Sequence, residues 1–127
     1  MLKIKGLVSK PDLFDLFEGV ANQNLHEKEF SVTEKIATTI MLVSGGYPEA
    51  YEKGKLISGL ETIKNSIIFH AGTKINDNSI VTNGGRVIAV TSLADSMPEA
   101  LNQSYKTIDS IHFEKMNYRK DIGFDLV

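Results

Sequence analysis

The sequence predicts an α+β domain: an antiparallel β-sheet laid out as a meander, with helices packed against it. Three observations carry that reading. Apolar residues recur at helical spacing near both ends of the chain. The middle holds short runs rich in β-branched residues. Compact turn signals, Asn76-Asp77-Asn78 and Asn83-Gly84-Gly85, separate those runs.

Residues 1–8 read as a short extended arm. Ser9-Lys10-Pro11-Asp12 reads as a helix start: Ser9 can cap, proline is tolerated in the first turn, and Asp12 complements the positive helix end. Leu13, Phe14, Phe17, Val20 and Ala21 then form one apolar stripe. Gly19 costs about 1 kcal/mol there relative to alanine, so the helix is expected to be short and held by packing. Residues 34–43 become apolar on both faces, as a central strand does. Ser44-Gly45-Gly46-Tyr47-Pro48 breaks that strand. Residues 49–65 read as an ordered loop with a brief strand near residues 55–57. Residues 66–75 predict a strand centred on Ile67, Ile68 and Phe69. Residues 79–82 run back, and residues 86–93 make the third strand of the meander. Ser96-Met97-Pro98-Glu99 is a capping box with proline in the first turn. In the helix it opens, Leu101, Tyr105, Ile108 and His112 share a stripe, with Ile111 beside it.

A length of 127 residues fits one domain, taken as 1–127. Hydrophobic residues at 42% and charged residues at 24% mark an ordinary globular chain. The net charge of −2 argues against nucleic-acid binding through bulk positive charge. Cysteine is absent, which excludes disulfides and thiolate chemistry. His26, His70 and His112 lie far apart without metal-ligand spacing, so no metal site is expected. No apolar stretch approaches membrane-spanning length, and residues 1–5 lack a signal-peptide core. The expected location is the cytoplasm.

Candidate chemistry centres on Thr82-Asn83-Gly84-Gly85-Arg86-Val87. Two glycines permit a sharp turn with φ > 0 that exposes backbone N–H groups beside Arg86. The same residues equally suit a plain hairpin. His70, in Phe69-His70-Ala71-Gly72-Thr73, can face a ligand or sit in the core. Gly72 marks a bulge or a close backbone approach. Gly54-Lys55 is not a P-loop, since Glu49 and Leu56 occupy its first and last positions. Arg119 and Lys120 are adjacent cations flanked by Tyr118 and Ile122. They suit a solvated surface, or, if pinned by that apolar flank, a phosphate or carboxylate site. No catalytic triad or carboxylate dyad stands out.

Taken in order, Ser44-Gly45-Gly46-Tyr47-Pro48, Tyr51-Glu52-Lys53-Gly54 and Ile57-Ser58-Gly59 resemble the C-terminal domain of phosphoribosylamine–glycine ligase. The match continues through Phe69-His70-Ala71-Gly72-Thr73, Thr82-Asn83-Gly84-Gly85-Arg86-Val87 and Val90-Thr91 to Tyr118-Arg119-Lys120-Asp121-Ile122-Gly123. It spans about residues 33–125. Two positions depart from the family pattern: Ala94 and a site near Lys115 usually carry glycine.

The resemblance implies the C-terminal domain of an ATP-grasp ligase, a rudiment single hybrid motif-like fold. It implies that the complete enzyme joins glycine to 5-phosphoribosylamine in purine biosynthesis, using ATP and Mg²⁺. Both would be held mainly by N-terminal and ATP-grasp domains that this sequence lacks, so no cofactor and no activity are expected of the chain alone. By analogy with related ligases, Arg119 and Lys120 are the expected ribose-phosphate ligands. Arg86 with Gly84 and Gly85 comes next, and His70 and Thr73 line the same cleft. The expected partners are the missing domains, phosphoribosylamine and glycine. An apolar face bared by the missing domains makes self-association an expectation. The alternative is a stand-alone phosphate-binding or interaction module without catalysis.

Overall fold

The structure is a computed structural model that describes residues 8–10 and 12–123. Residues 1–7 of the arm expected over residues 1–8, and the first-turn Pro11, lie outside the described residues.

Strand β1, Val8–Lys10, pairs antiparallel with the two-residue β2, Ser31–Val32. Between them runs helix α1, Leu13–Ala21. Its cap is Asp12, whose carboxylate accepts the Phe14 N–H at 3.2 Å. Ser9, the expected cap, belongs to β1 instead. Asp wins because it stands directly before the first helical residue, where its side chain reaches an orphan N–H. Gly19 is buried because a 3-10 turn at Leu25–Glu27 crosses it. A Cβ there would lie 3.0 Å from Lys28 Cγ and 3.2 Å from Leu25 Cα. The Lys28–Asp15 ion pair, 2.6 Å, closes the same contact. The apolar stripe of α1 is not packed as expected. Leu13, Phe14, Phe17 and Val20 are each between 56% and 66% exposed.

The body of the fold is a three-stranded antiparallel sheet in the order β3-β7-β4. Its strands are β3, Ile36–Val43; β4, Ile67–His70; and β7, Arg86–Ala94. Strands β5, Thr73–Asn76, and β6, Ser79–Thr82, form a separate hairpin. Asp77 and Asn78 turn it with φ of 46° and 61°, the left-handed pair that tight hairpins need. The α+β class and the antiparallel pairing hold; the meander order does not. The single strand expected over 66–75 is two strands in two sheets. The break has a physical cause at Ala71-Gly72, where both N–H groups donate to the Val87 carbonyl, at 3.0 and 3.1 Å. The chain leaves the sheet there. Asn83-Gly84-Gly85 then carries it back from the hairpin to β7, so these residues are a crossing and not a hairpin turn.

Helix α2, Met97–Ile108, starts as expected, with the Ser96 hydroxyl accepting the Glu99 N–H at 3.4 Å. It ends before His112, which the expected stripe included. Past Asp109 the backbone extends, so Ile111 and Phe113 enter the core while His112 faces outward and bridges Ser58. Ile40, Leu42, Ile88 and Val90 from the sheet pack with Ile57, Ile108, Ile111 and Phe113. The α2–sheet interface also carries hydroxyls, Thr38–Ser104–Ser92–Ser66–Thr107, each 2.7–3.1 Å from the next. Each buried hydroxyl thus has a partner. The brief strand expected near residues 55–57 is present as an isolated bridge, Leu56 to Val81.

Candidate functional site

Alternation along β3 sends Ile40 and Leu42 into the core and Met41 and Val43 to the opposite face. A cavity of about 350 Å³ opens on that face, lined by Met41, Val43, Tyr47, Arg86, Asn117, Tyr118 and Arg119. Its two charged residues are both arginines.

Arg86 reaches the cavity because of a bulge. Leu42 pairs with Ile88, but the next pair is Val43 with Arg86. The slip leaves Val87 as an extra residue, fully buried. In unbroken register Arg86 would share the core-facing side with Ile88 and Val90, and Val87 would face out with Ala89. The bulge exchanges them, a device that re-aims side chains beside sites.

Arg119 is fixed from three directions. Asn117 pairs with Val43 through both backbone bonds, at 2.9 and 3.0 Å, which runs the tail along the edge of β3. The Tyr105 hydroxyl donates to the Arg119 carbonyl at 3.2 Å. Asp121 accepts from the guanidinium at both oxygens, each 2.9 Å away. Arg119 in turn holds the Asp121 carboxyl below its ordinary value of 3.8, chiefly through that hydrogen bonding.

The glycines act by close approach. Gly85 is buried under the Tyr47 ring, where a Cβ would collide with ring carbons. Gly72 and Gly84 pass so closely that a Cβ on Gly84 would lie 3.1 Å from Gly72 Cα. Among the described residues the glycines with positive φ are Gly46, Gly54, Gly59 and Gly123, so the left-handed turn expected at Gly84-Gly85 is absent. Ser44 ties the crossing down: its N–H donates to the Gly85 carbonyl at 2.8 Å and its hydroxyl to the Gly84 carbonyl at 2.9 Å.

The remaining expected site residues lie outside the cavity lining. His70 and Thr73 sit at the β4–β5 corner, with Nδ1 and Oγ1 3.0 Å apart. Gly72, between them, meets the crossing through its close approach to Gly84 and through the Asn83 N–H, which donates to its carbonyl at 2.7 Å. Lys120 is exposed beside Arg119. Sequence reasoning missed Met41, Val43 and Asn117 as lining residues, treated Tyr47 only as part of a motif, and gave Tyr118 only a role in pinning the tail. The available signal was the two-residue period of a strand, which puts Met41 and Val43 on one side once residues 34–43 are read as a strand.

A four-member ion network braces the tail just before Asn117. Lys55 Nζ lies 2.7 Å from Glu52 and 2.8 Å from Glu114, and Lys115 lies 3.0 Å from Glu52. Hydrogen bonds from Lys55, then Lys115, lower the Glu52 carboxyl from 4.5 to about 2. A lowered carboxyl contributes stability above its unfolded value, lost as pH falls through its folded one. The window here therefore runs from pH 4.5 down to about 2. Glu52 is 57% exposed, so solvent screens the effect. A carbon-13 NMR titration should place the Glu52 midpoint near 2, and Lys55→Met should raise it. A native midpoint at the ordinary carboxylate value would exclude the network in solution.

A larger groove, about 520 Å³, lies between α2 and the segment after the 3-10 turn at Leu60–Thr62. Lys64, Lys106, Glu99 and several amides line it, so its charge is mixed. The smaller cavity pairs two cations with an apolar floor and two phenol rings. Its lining holds no carboxylate, imidazole or thiol; two guanidinium groups beside apolar and phenolic walls suit an anion with a compact organic body.

Residues 37–125 match the family described as phosphoribosylglycinamide synthetase, C domain. A bifunctional purine biosynthetic protein, purD, of Dictyostelium discoideum is 46% identical over 116 residues, covering 88% of this chain and 14% of that protein. A phosphoribosylamine–glycine ligase of Chlorobaculum tepidum is 41% identical over 117 residues, covering 90% of this chain and 28% of the ligase. The crystal structure of phosphoribosylamine–glycine ligase from Thermotoga maritima superimposes with a TM-score of 0.67 at 30% identity, over 83% of this chain and 27% of that one. The chain thus spans between 14% and 28% of the length of these curated relatives. The sequence matches are longer than residues 37–125, so they also take in part of the segment that holds α1. No helix among the described residues is long and apolar enough to cross a membrane. On its sequence match and on its fold, the chain belongs to the phosphoribosylglycinamide synthetase C-domain family.

Proposed function

We propose that this chain is the C-terminal part of a carbon–nitrogen ligase that joins glycine to 5-phosphoribosylamine, giving glycinamide ribonucleotide in the cytoplasm. Its share of the work is binding. Arg86 and Arg119 grip the sugar phosphate, Met41 and Val43 floor the pocket, and Tyr47 and Tyr118 wall the ribose. One observation carries the reading: the bulge in β7 and the pinned tail bring two arginines from distant parts of the chain onto a single cavity. Bidentate guanidinium groups suit phosphate oxygens. Lys120 adds charge at the rim, while Gly84, His70 and Thr73 shape the crossing behind Arg86. ATP and Mg²⁺ belong to the rest of the ligase, which activates the carboxylate of glycine.

The same ligase portion covers α1. Leu13, Phe17, Val20, Leu25 and Phe30 line an open apolar groove of about 330 Å³. A patch of that kind marks an interaction surface, and the relatives share part of this segment outside the C-domain match. The chain by itself should therefore self-associate as its concentration rises, and Phe14→Glu with Phe17→Glu should return it to a monomer. Light scattering coupled to gel filtration reads both; a wild-type monomer at every concentration would count against the covered face.

The binding role is tested by NMR titration of the chain with ribose 5-phosphate and with ribose. The phosphate ester should shift the amides of Gly85, Arg86, Tyr118 and Arg119, and ribose should not. Equal responses to both sugars, or shifts confined to other segments, would refute phosphate capture here.

A further inference from the structure

We propose that Asp121 is a place-holder for the ligand's phosphate: it occupies the fork of Arg119 until a phosphate monoester displaces it. The inference rests on the two-arginine cavity as the phosphate site. Asp121 takes Nε and Nη2 of Arg119 at 2.9 Å each, the guanidinium edge that a phosphate would engage in bidentate fashion. The Asp121 carboxylate is not among the groups lining the cavity, whereas Arg119 is. Arg119 therefore faces the cavity while its best donors point at an internal anion.

The pair is built for exchange. Both side chains are largely solvated, Arg119 at 66% and Asp121 at 58%, so water receives the released carboxylate. The backbone on either side is held. The Tyr105 hydroxyl grips the Arg119 carbonyl, Ile122 packs against the core, and Gly123 is buried near Met97 and Leu101. Exchange is thus a side-chain rotation, with no movement of the tail. A ligand carboxylate presents the same two oxygens as Asp121 and gains little by replacing it. A phosphate monoester brings further oxygens and, near neutral pH, close to a second negative charge, and Arg86 lies on the same cavity to take them. Asp121 thereby sets a threshold that phosphate passes and carboxylate does not. The proposed co-substrate, glycine, carries just such a carboxylate.

The test is calorimetric titration of the whole chain with ribose 5-phosphate and with inorganic phosphate, at low and at high salt. Asp121→Asn keeps the shape and removes the competing charge. It should tighten both probes by a common factor of about two to five, the range that opening an exposed ion pair spans. The gain should shrink at high salt, because an ion pair this exposed is itself screened. In an Arg119→Met background, Asp121→Asn should have no effect, since the two residues act through one contact. Weaker or unchanged binding in Asp121→Asn, while Arg119→Met alone loses affinity, would overturn the place-holder and make Asp121 an aligning residue. Unchanged binding in Arg119→Met would instead overturn the site itself, and the place-holder with it.

Discussion

Gly72→Ala should lower the melting temperature of the chain by roughly 4–12 °C. The methyl group would meet the Arg86 carbonyl oxygen, and would lie 2.8 Å from Gly84 Cα and 3.0 Å from Gly84 N. All three atoms are backbone, so no side chain can swing aside. The corner cannot slide either, because the N–H groups of Ala71 and Gly72 both bind the Val87 carbonyl and the Asn83 N–H binds the Gly72 carbonyl at 2.7 Å. Overpacking of this kind costs about 1–3 kcal/mol. In a domain of this size each kcal/mol moves the transition by roughly 4 °C or more. Gly54→Ala is the control. Gly54 has φ of 81° but nothing within 4 Å of a Cβ, so its penalty is left-handed strain alone, about 1 kcal/mol. Calorimetry that gave the two variants equal, small shifts would mean the glycine crossing is not tight in solution. Gly72→Ala should also weaken ligand binding, since the backbone it displaces carries Arg86.

Arg119→Met and Arg86→Met carry the largest functional effects. In the complete ligase each should raise the KM for phosphoribosylamine by about tenfold or more, the usual loss for a charge-assisted hydrogen bond. The KM for ATP should stay near wild type, because uniform binding of one substrate leaves the other untouched. Arg86→Lys should recover little: an ammonium is a point charge and cannot form the two parallel bonds of a guanidinium. Lys120→Met should have a smaller effect than either arginine, since Lys120 lies outside the cavity lining. Steady-state kinetics with both substrates varied decides the matter. Equal rises in both KM values would remove phosphate anchoring as the role of these residues.

Local chemistry made much of the fold legible. Ser96 announces α2, and Asp77-Asn78 announces the hairpin turn, because capping and left-handed turns depend on few neighbours. The β-branched, doubly apolar run over residues 34–43 reports β3 for the same reason. Strand order was not legible. β4 and β5 read as one run because a two-residue break at Ala71-Gly72 is set by a partner carbonyl at Val87, distant in sequence. The end of α2 was also hidden, since Ile111 keeps apolar character whether it extends the helix or enters the core beyond it.

The candidate site divides along the same line. Arg86 and Arg119 stood out as cations beside glycines and aromatics, and both line the cavity. What aims Arg86 there is a one-residue bulge, and register slips leave no mark in a single sequence. The glycines were visible but their purpose was not. At Gly85 the need is room for the Tyr47 ring, a contact made across the fold. Lys115 shows the converse. It holds φ of 59°, a conformation that favours glycine, and nothing in the local sequence marks it.

A structure of the chain with ribose 5-phosphate bound tests most directly whether two arginines capture the sugar's phosphate. The phosphorus is expected on the Met41–Val43 face, with oxygens in hydrogen-bond reach of both Arg86 and Arg119 and with Asp121 turned to solvent. A phosphate held instead by Lys64 and Lys106 in the groove beside α2, leaving both arginines untouched, would contradict it.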